Sequence, residues 1–288
     1  MTIAYLNGEF MPVEQARISP LDRGFLFADG VYEVIPVYQG TPFRLEEHLQ
    51  RLDNSLHEIH MANPHGHDGW TKLFAELIEK NGGGNLAIYL QITRGTAAKR
   101  DHAFPNPPVP ATIFAMTTPV ATPAADSPDS AEGVGAITLD DIRWARCDIK
   151  SVALLANVMM RQMAVSEGAA EAILIRDGFA TEGSASNFFI VKDGTVITPP
   201  KSHLILPGIT RDLIVELCQR HSVPIKEQEI TEGELRDADE IWLSSSTKEV
   251  VPVVTLNGHA LGDGKPGPVW KSVARHYVAY KRELCGEA

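Results

Sequence analysis

The pattern of hydrophobic and polar positions predicts a strand-rich first part of the chain. Alternating apolar and polar residues predict strands, and apolar residues spaced three and four apart predict helices. The predicted elements are a hairpin around Asn7-Gly8, a strand over 31–38, helices over 45–59 and 70–80, and strands over 86–93 and 111–117. Between the last two strands lies a polar loop, 94–110, which is either a solvated connection or, because of its length, a functional loop.

The second part again mixes strands and helices. The stretch 119–133 is rich in proline, alanine and acidic residues and lacks apolar periodicity, so it predicts a linker. The later elements are a strand over 135–139, an amphipathic helix after Lys150, a strand over 171–175, a hairpin around Asp193-Gly194, a helix over 210–221, a strand over 240–243, a hairpin around Asn257-Gly258 and a helix over 269–280. This order predicts an α/β (α+β) fold with two domains, a small α/β domain over 1–118 and a larger C-terminal domain over 134–288 that carries Lys150.

Composition narrows the kind of partner. The chain has 288 residues and a formal net charge of -11, so it has no basic footprint for nucleic acid or an anionic membrane. Hydrophobic runs stay well short of the roughly 20 residues that a membrane helix needs. Three cysteines without paired spacing suggest neither a disulfide framework nor a metal site, and the N-terminal segment lacks the pattern of a secretory signal. We therefore expect a cytoplasmic protein with a small-molecule partner.

Lys150 stands at a junction between the predicted strand over 135–139 and an amphipathic helix that Ser151 could cap. A cation at the positive end of a helix dipole gains little structurally. The same field would lower the pKa of the lysine, which suits an amine that attacks a carbonyl. The alternative interpretation is an ordinary solvated lysine.

Two other stretches suit a phosphate group. At Gly208–Asp212 a glycine, free amides and the Thr210 hydroxyl meet at a predicted helix start, where an anion is favoured, although Thr210 could equally be an ordinary helix cap. The hydroxyls of Ser244–Thr247 follow a predicted strand and suit a phosphate or a plain loop. Glu182 faces inward if the strand alternation continues, and a buried carboxylate requires a partner, preferably a cation.

The remaining candidates are weaker when each is taken alone. Arg51, on the polar side of the first predicted helix, is a solvated charge or a phosphate clamp, and Tyr32 is a core or a catalytic residue. Arg100 and His102 concentrate positive charge in the polar loop and suit a carboxylate. Phosphate-loop, dinucleotide-fingerprint, zinc-protease and serine-hydrolase motifs are absent from the sequence. A lysine, an acid, phosphate donors and a carboxylate clamp together match the needs of pyridoxal 5'-phosphate.

The chain resembles the fold type IV, branched-chain aminotransferase-like, pyridoxal phosphate enzymes over nearly its whole length. Within them it is most similar to the D-amino acid aminotransferases. The motifs that carry the resemblance are Asp22-Arg23-Gly24-Phe25, Gly30-Val31-Tyr32-Glu33, His48 with Arg51-Leu52, Thr93-Arg94-Gly95, Arg100-Asp101-His102, Arg143-Trp144, Cys147–Ser151, Thr181–Asn187 and Gly208–Arg211.

The resemblance implies two α/β domains with the cofactor in the cleft between them, and a homodimer. Lys150 would bond covalently to the cofactor, and Glu182 would pair with its ring nitrogen. The residues that would hold the phosphate are Arg51, the Ile209 amide, Thr210 and Ser246, with Ser245 nearby. Tyr32, Arg100 and His102 would bind the substrate carboxylate, the last two reaching in from the partner subunit.

The function that the resemblance implies is transamination between D-amino acids, with D-alanine as the leading substrate, and 2-oxoglutarate. Pyruvate or another 2-oxo acid and D-glutamate would be the products. Two alternatives on the same scaffold stay open: a 4-amino-4-deoxychorismate lyase, and an R-amine or branched-chain L-amino acid transaminase. A non-catalytic protein that keeps the fold is a further alternative.

Overall fold

A computed structural model describes residues 2–121 and 123–286, and the chain forms two compact units. The first unit covers the residues up to Ala121 together with Ile149–Leu154, and the second covers the rest. The predicted domains and linker include Met1, Thr122, Glu287 and Ala288, which lie outside the described residues. Their bounds stay a prediction, but the segment around Lys150 groups with the first unit and not with the predicted C-terminal domain.

The sheet of the first unit is antiparallel throughout. Its strands are β1 (Ile3–Leu6), β2 (Glu9–Pro12), β3 (Gly30–Tyr38), β4 (Thr41–Pro42), β5 (Leu86–Thr93) and β6 (Thr112–Pro119). They lie in the order β2-β1-β6-β5-β3-β4. The predicted turn between β1 and β2 is confirmed, with positive φ angles at Asn7 and Gly8, which asparagine and glycine tolerate best.

The first unit also contains helices. They are α1 (Arg23–Phe27), α2 (Leu45–Glu58) and α3 (Gly66–Lys80), and a 3-10 turn spans Val13–Gln15. Leu49, Leu52 and Leu56 of α2 pack into the same core as Val31 and Ile35 of β3, which is why the apolar spacing predicted α2 correctly. The helix α3 begins four residues before the predicted start, in a polar stretch that carries no apolar signal.

The second unit contains a mixed sheet. Its strands are β7 (Val134–Asp140), β8 (Glu171–Arg176), β9 (Phe179–Gly183), β10 (Asn187–Lys192), β11 (Thr195–Thr198), β12 (Ile225–Glu227), β13 (Ile230–Thr231), β14 (Glu240–Ser245), β15 (Glu249–Leu256) and β16 (His259–Ala260). They lie in the order β12-β11-β10-β14-β15-β7-β8-β9-β13, and β16 pairs with β15. The pairs β15–β7, β7–β8 and β11–β12 are parallel.

The helices of the second unit are α4 (Leu155–Ser166), α5 (Ile209–Arg220), α6 (Glu232–Arg236) and α7 (Pro268–Leu284), and a 3-10 turn spans Ala124–Asp126. Part of the predicted linker is thus ordered, because Asp126 pairs with the buried Lys281 of α7 and Asp129 pairs with Arg275. Of the helices in the described residues, none has the length and hydrophobicity needed to cross a membrane.

The segment that carries Lys150 is hydrogen-bonded to the start of β3. The Tyr32 amide donates to the Lys150 carbonyl at 2.9 Å, and the Val152 amide donates to the Gly30 carbonyl at 3.1 Å. The prediction that Ser151 caps a helix is wrong, because Ser151 forms a bridge with Val31 and the helix begins only at Leu155. The helix-dipole reasoning for Lys150 therefore does not apply.

Candidate active site

Lys150 and Tyr32 are neighbours within the first unit. The Lys150 Nζ lies 4.2 Å from the centroid of the Tyr32 ring, and the Lys150 amide donates to the Ser55 Oγ at 3.2 Å. The Tyr32 ring also lies 5.9 Å from that of Tyr89. The lysine backbone is hydrogen-bonded to both β3 and α2, which fixes the point from which its side chain extends. The amine at the end of that side chain lies beside an aromatic ring.

Arg51 is buried and fixed by a carboxylate. Its Nε and Nη2 each donate to one oxygen of Glu33 at 2.8 Å, and the Nδ1 of His48 lies 2.8 Å from the same carboxylate. Of the two alternatives for Arg51, the solvated charge is excluded, since the residue is 5% exposed. Burial alone would raise the pKa of Glu33, but the charge of Arg51 and the hydrogen bonds lower it well below its usual range.

Arg100 and His102 lie on an exposed loop and share one aromatic neighbour. The Arg100 Cζ is 4.8 Å from the centroid of the Phe27 ring, and the His102 ring is 5.1 Å from it. The neighbouring Lys99 is engaged with Asp101, with 3.3 Å between Nζ and Oδ2. Two cationic or ionisable donors are thus presented side by side, as a carboxylate clamp requires.

Glu182 lies in β9 of the second unit and is 4% exposed. The expectation of a buried carboxylate with a cationic partner is confirmed, because Arg143 donates to Oε1. The Asn187 Nδ2 and the Leu206 amide each donate to Oε2 at 3.0 Å. Burial raises the pKa of Glu182 to about 7 although these donors oppose the shift, so the group can exchange a proton near neutrality.

The start of α5 is open at its N-terminal end. Its N-cap is Gly208, and among the described residues no side chain caps the helix, so Thr210 is not the cap but lies inside the first turn. The Asp212 amide donates to the Gly208 carbonyl at 2.9 Å, which begins the helical hydrogen-bond pattern. The earlier amides, including that of Ile209, are therefore oriented outward at the positive end of the helix, where an anion is stabilised.

Asn187 connects the parts of the second unit that carry candidate residues. It lies opposite Ser244 in the pairing of β10 with β14, and Ser245 and Ser246 follow at the turn into β15. Its side chain bonds Glu182 and the Leu206 carbonyl, and a Cβ on Gly208 would collide with its Oδ1. The acid, the helix start and the serine turn are thus arranged around one amide.

The amino-transferase class IV family profile matches residues 30–256. The chain belongs to this family. The D-alanine aminotransferase of Staphylococcus epidermidis is 40% identical over 280 residues, which cover 97% of this chain and 98% of that protein. The D-alanine aminotransferase of Bacillus licheniformis is 41% identical over 267 residues, 93% of each chain.

Among solved structures, the branched-chain amino acid aminotransferase of Escherichia coli matches with a TM-score of 0.88 at 26% identity. The match covers 100% of this chain and 95% of that one. The mixed α/β fold expected from the sequence is therefore that of the class IV aminotransferases.

The cofactor of class IV aminotransferases is pyridoxal 5'-phosphate, and the donors in this structure fit its chemistry. The uncapped start of α5 offers amides to a phosphate, and Gly208 leaves no room for a side chain there. The buried Ser244 Oγ has no hydrogen-bond partner among the described residues, so the strand end beside Asn187 retains a donor for a bound group. A buried carboxyl, Glu182, and an amine beside an aromatic ring, Lys150, are the other two groups that such a cofactor calls for.

Several residues of the site received no role from sequence reasoning. Glu33 fixes Arg51, and Asn187 links Glu182 to α5. A signal for Glu33 was present, because the alternation of β3 puts it on the face of Val31, where a carboxylate needs a cation from the facing helix. Asn187 gave no such signal, since its partners come from three separate stretches of chain.

Proposed function

We propose that this class IV aminotransferase transfers the amino group of D-amino acids, with D-alanine as the leading donor, to 2-oxoglutarate. The products are pyruvate, or another 2-oxo acid, and D-glutamate. The observation that carries the proposal is 40% identity to a D-alanine aminotransferase over 97% of the chain. The identity to the branched-chain amino acid aminotransferase structure is lower, at 26%.

Lys150, Glu182 and the phosphate donors are assigned to the cofactor. When bound, pyridoxal 5'-phosphate supplies an aldehyde carbon that carries the amino group and a ring that withdraws electrons. The Lys150 Nζ would hold that aldehyde carbon and, once the substrate amine has displaced it, would carry a proton between the substrate Cα and the same carbon. The Glu182 carboxylate would pair with the protonated ring nitrogen, and its burial beside Arg143 supports this role because the group is held in one place.

The phosphate is assigned to backbone amides, hydroxyls and one arginine. In the second unit these are the Ile209 amide, Thr210, Ser246 and, beside it, Ser245. In the first unit Arg51 contributes charge, and its two-point bond to Glu33 supports this role by fixing the plane of the guanidinium. A helix start and an arginine together suit a dianion better than either alone.

The substrate carboxylate is assigned to Tyr32, Arg100 and His102. A carboxylate held at one fixed place leaves only one enantiomer with its Cα hydrogen directed at the Lys150 amine, so the clamp selects handedness. The shared contact of Arg100 and His102 with Phe27 supports the assignment because it keeps the two donors adjacent.

A homodimer is part of the proposal. The apolar face that the sequence indicated for α4 is exposed in the single chain: Leu155 is 74% exposed and Val158 is 60% exposed. Trp144 and Ile142 add further exposed apolar area. A second copy of this chain would cover such a surface, and glutamate substitutions at Leu155 and Val158 should halve the mass measured by light scattering. The proposed location is the cytoplasm, where the three thiols stay reduced.

A panel of D- and L-amino acids tests the function. The purified holoenzyme is mixed with each amino acid and 2-oxoglutarate, and the 2-oxo acid formed is measured together with the cofactor absorbance. D-Alanine should give pyruvate and change the cofactor band, whereas L-alanine and the branched-chain L-amino acids should not.

Two results would overturn the proposal. One is turnover of branched-chain L-amino acids or R-amines in place of D-alanine. The other is formation of pyruvate and 4-aminobenzoate from 4-amino-4-deoxychorismate without a 2-oxo acid acceptor, which would identify a lyase.

A further inference from the structure

Arg23 is a buried arginine whose guanidinium faces the backbone of the loop that carries Arg100 and His102. It is 3% exposed, and its Nε donates to Asp29 at 2.7 Å. Its Nη1 donates to the carbonyls of Asp101 at 2.6 Å and Ala103 at 3.2 Å, and its Nη2 donates to the carbonyl of His102 at 3.2 Å. One guanidinium therefore donates to three successive backbone carbonyls. These bonds fix the backbone of the loop at the positions that carry the Arg100 and His102 side chains.

Phe27, one turn further along α1, supports the side chains of the same loop. Its ring centroid lies 4.9 Å from the Arg23 Cζ and 4.8 Å from the Arg100 Cζ, and the His102 ring is 5.1 Å away. Attraction between a guanidinium and an aromatic face favours these positions. Arg23 thus bonds the backbone of the loop while Phe27 orients its two functional side chains.

The short helix α1 is itself held firmly. Its N-cap, Asp22, accepts from the Gly24 amide at 2.8 Å and from the hydroxyls of Thr93 at 3.0 Å and Thr112 at 2.6 Å. A Cβ on Gly24 would collide with the Thr93 side chain, so the helix lies directly against β5. The loop is therefore held, through α1, in a fixed position relative to the sheet of the first unit.

The Asp29 carboxylate, which accepts from Arg23, also accepts from a second arginine, at the start of the loop. The Arg94 Nε donates to Asp29 at 2.9 Å, and the Arg94 Cζ lies 3.7 Å from the centroid of the Phe104 ring. Asp29 thus balances two arginines, one at the start of the loop and one beneath its middle. A loop of exposed side chains can in this way hold a defined backbone.

We infer that Arg23 and Phe27 are positioning residues for the substrate-carboxylate clamp, setting where Arg100 and His102 meet the carboxylate of amino and 2-oxo acids. Neither is assigned a contact with substrate or cofactor. The inference rests on the proposed function for the identity of the substrate, but its structural part concerns only the first unit.

The experiment compares Arg23→Gln, Arg23→Lys and Phe27→Leu with the parent holoenzyme. The KM for D-alanine should rise roughly tenfold to a hundredfold in R23Q, because a displacement of about 1 Å in a binding group costs that much. The cofactor band and the kcat should change little. R23K keeps the charge beside Asp29 but lacks the planar guanidinium, so its KM should lie between those of R23Q and the parent.

The matched control is Arg17→Gln. Arg17 also donates to two backbone carbonyls, those of Glu14 at 2.6 Å and Ala16 at 2.8 Å, but it lies outside the loop. R17Q should leave the KM unchanged. In a double-mutant cycle, R23Q combined with Arg100→Ala should raise the KM by less than the product of the two single effects, since the positioning residue acts in part through Arg100.

Limited trypsin digestion supplies a readout that does not depend on turnover. Cleavage after Lys99 and Arg100 should be roughly tenfold faster in R23Q and F27L than in the parent or R17Q, because proteolysis follows the population of the opened loop. An unchanged cleavage rate, an unchanged KM or fully additive effects with R100A would overturn the inference. If the parent protein does not act on D-alanine, the proposed function fails and the digestion alone decides the positioning role.

Discussion

Replacing Gly208 with alanine should weaken cofactor binding, although Gly208 itself is not among the residues assigned to the cofactor. Gly208 is the N-cap of α5, and a Cβ there would collide with the Oδ1 of Asn187. To relieve the collision the Asn187 amide must turn away. It would then lose its bonds to Glu182, at 3.0 Å, and to the Leu206 carbonyl, at 2.9 Å.

The cost follows from these two hydrogen bonds. One bond to a charged group contributes about 1.5–3 kcal/mol and one neutral bond about 0.5–1.5 kcal/mol, so G208A should lower the free energy of unfolding by about 2–4.5 kcal/mol. Because the same movement shifts the start of α5, the dissociation constant for pyridoxal 5'-phosphate should rise by at least about tenfold, or about 1.4 kcal/mol.

The assays are urea unfolding of the apoprotein and absorbance titration with the cofactor. Gly233→Ala is the matched control, because a Cβ at Gly233 would lie 3.9 Å from its nearest neighbour, the Thr231 Oγ1, and would meet no collision. The control should keep parental stability and affinity. If G208A binds the cofactor as tightly as G233A, the role given to Asn187 and the helix start is refuted.

Three further changes test other parts of the site. Lys150→Ala should abolish turnover and the absorbance band of lysine-bound cofactor while the protein stays folded; a retained band would contradict its role. Glu33→Gln should lower the free energy of unfolding by about 3 kcal/mol because it leaves the buried Arg51 without its counter-charge, and urea unfolding at parental stability would contradict this. Hydrogen bonds to Asp53 and Glu46 raise the pKa of His67, so the stabilisation is full below its unfolded pKa of about 6.5 and is lost as pH rises through the folded value. The loss of melting temperature in Asp53→Asn should therefore be larger at about pH 6 than at about pH 9, and equal losses would oppose this.

The regular elements were predictable wherever one face of the element meets a core. The strand over 86–93 and the helix beginning at Leu45 were placed correctly because their apolar residues pack into the core of the first unit. The helix α4 was predicted to begin too early. Leu154 and Leu155 carry an apolar pattern, but the backbone before them is hydrogen-bonded to β3 and is not helical. That pattern reports an exposed apolar face and not burial in the single chain.

The site residues were recognised as types, but their supports were not. Glu182 needed a cation, and burial made that need predictable, yet only the folded chain identifies Arg143 as the partner. The sequence left open whether Arg51 is a solvated charge or a phosphate clamp, because a charged residue beside Leu52 has no apolar signal of its own. Its burial depends on Glu33, 18 residues earlier, and such a pair is visible only when β3 and α2 are adjacent.

The most direct test of the account follows a nitrogen atom and its handedness. The holoenzyme is incubated with D-[15N]alanine and 2-oxoglutarate, and the glutamate formed is separated on a chiral column and analysed by mass spectrometry. The account predicts D-[15N]glutamate in equal amount to pyruvate. L-Glutamate, or pyruvate without labelled glutamate, would contradict it.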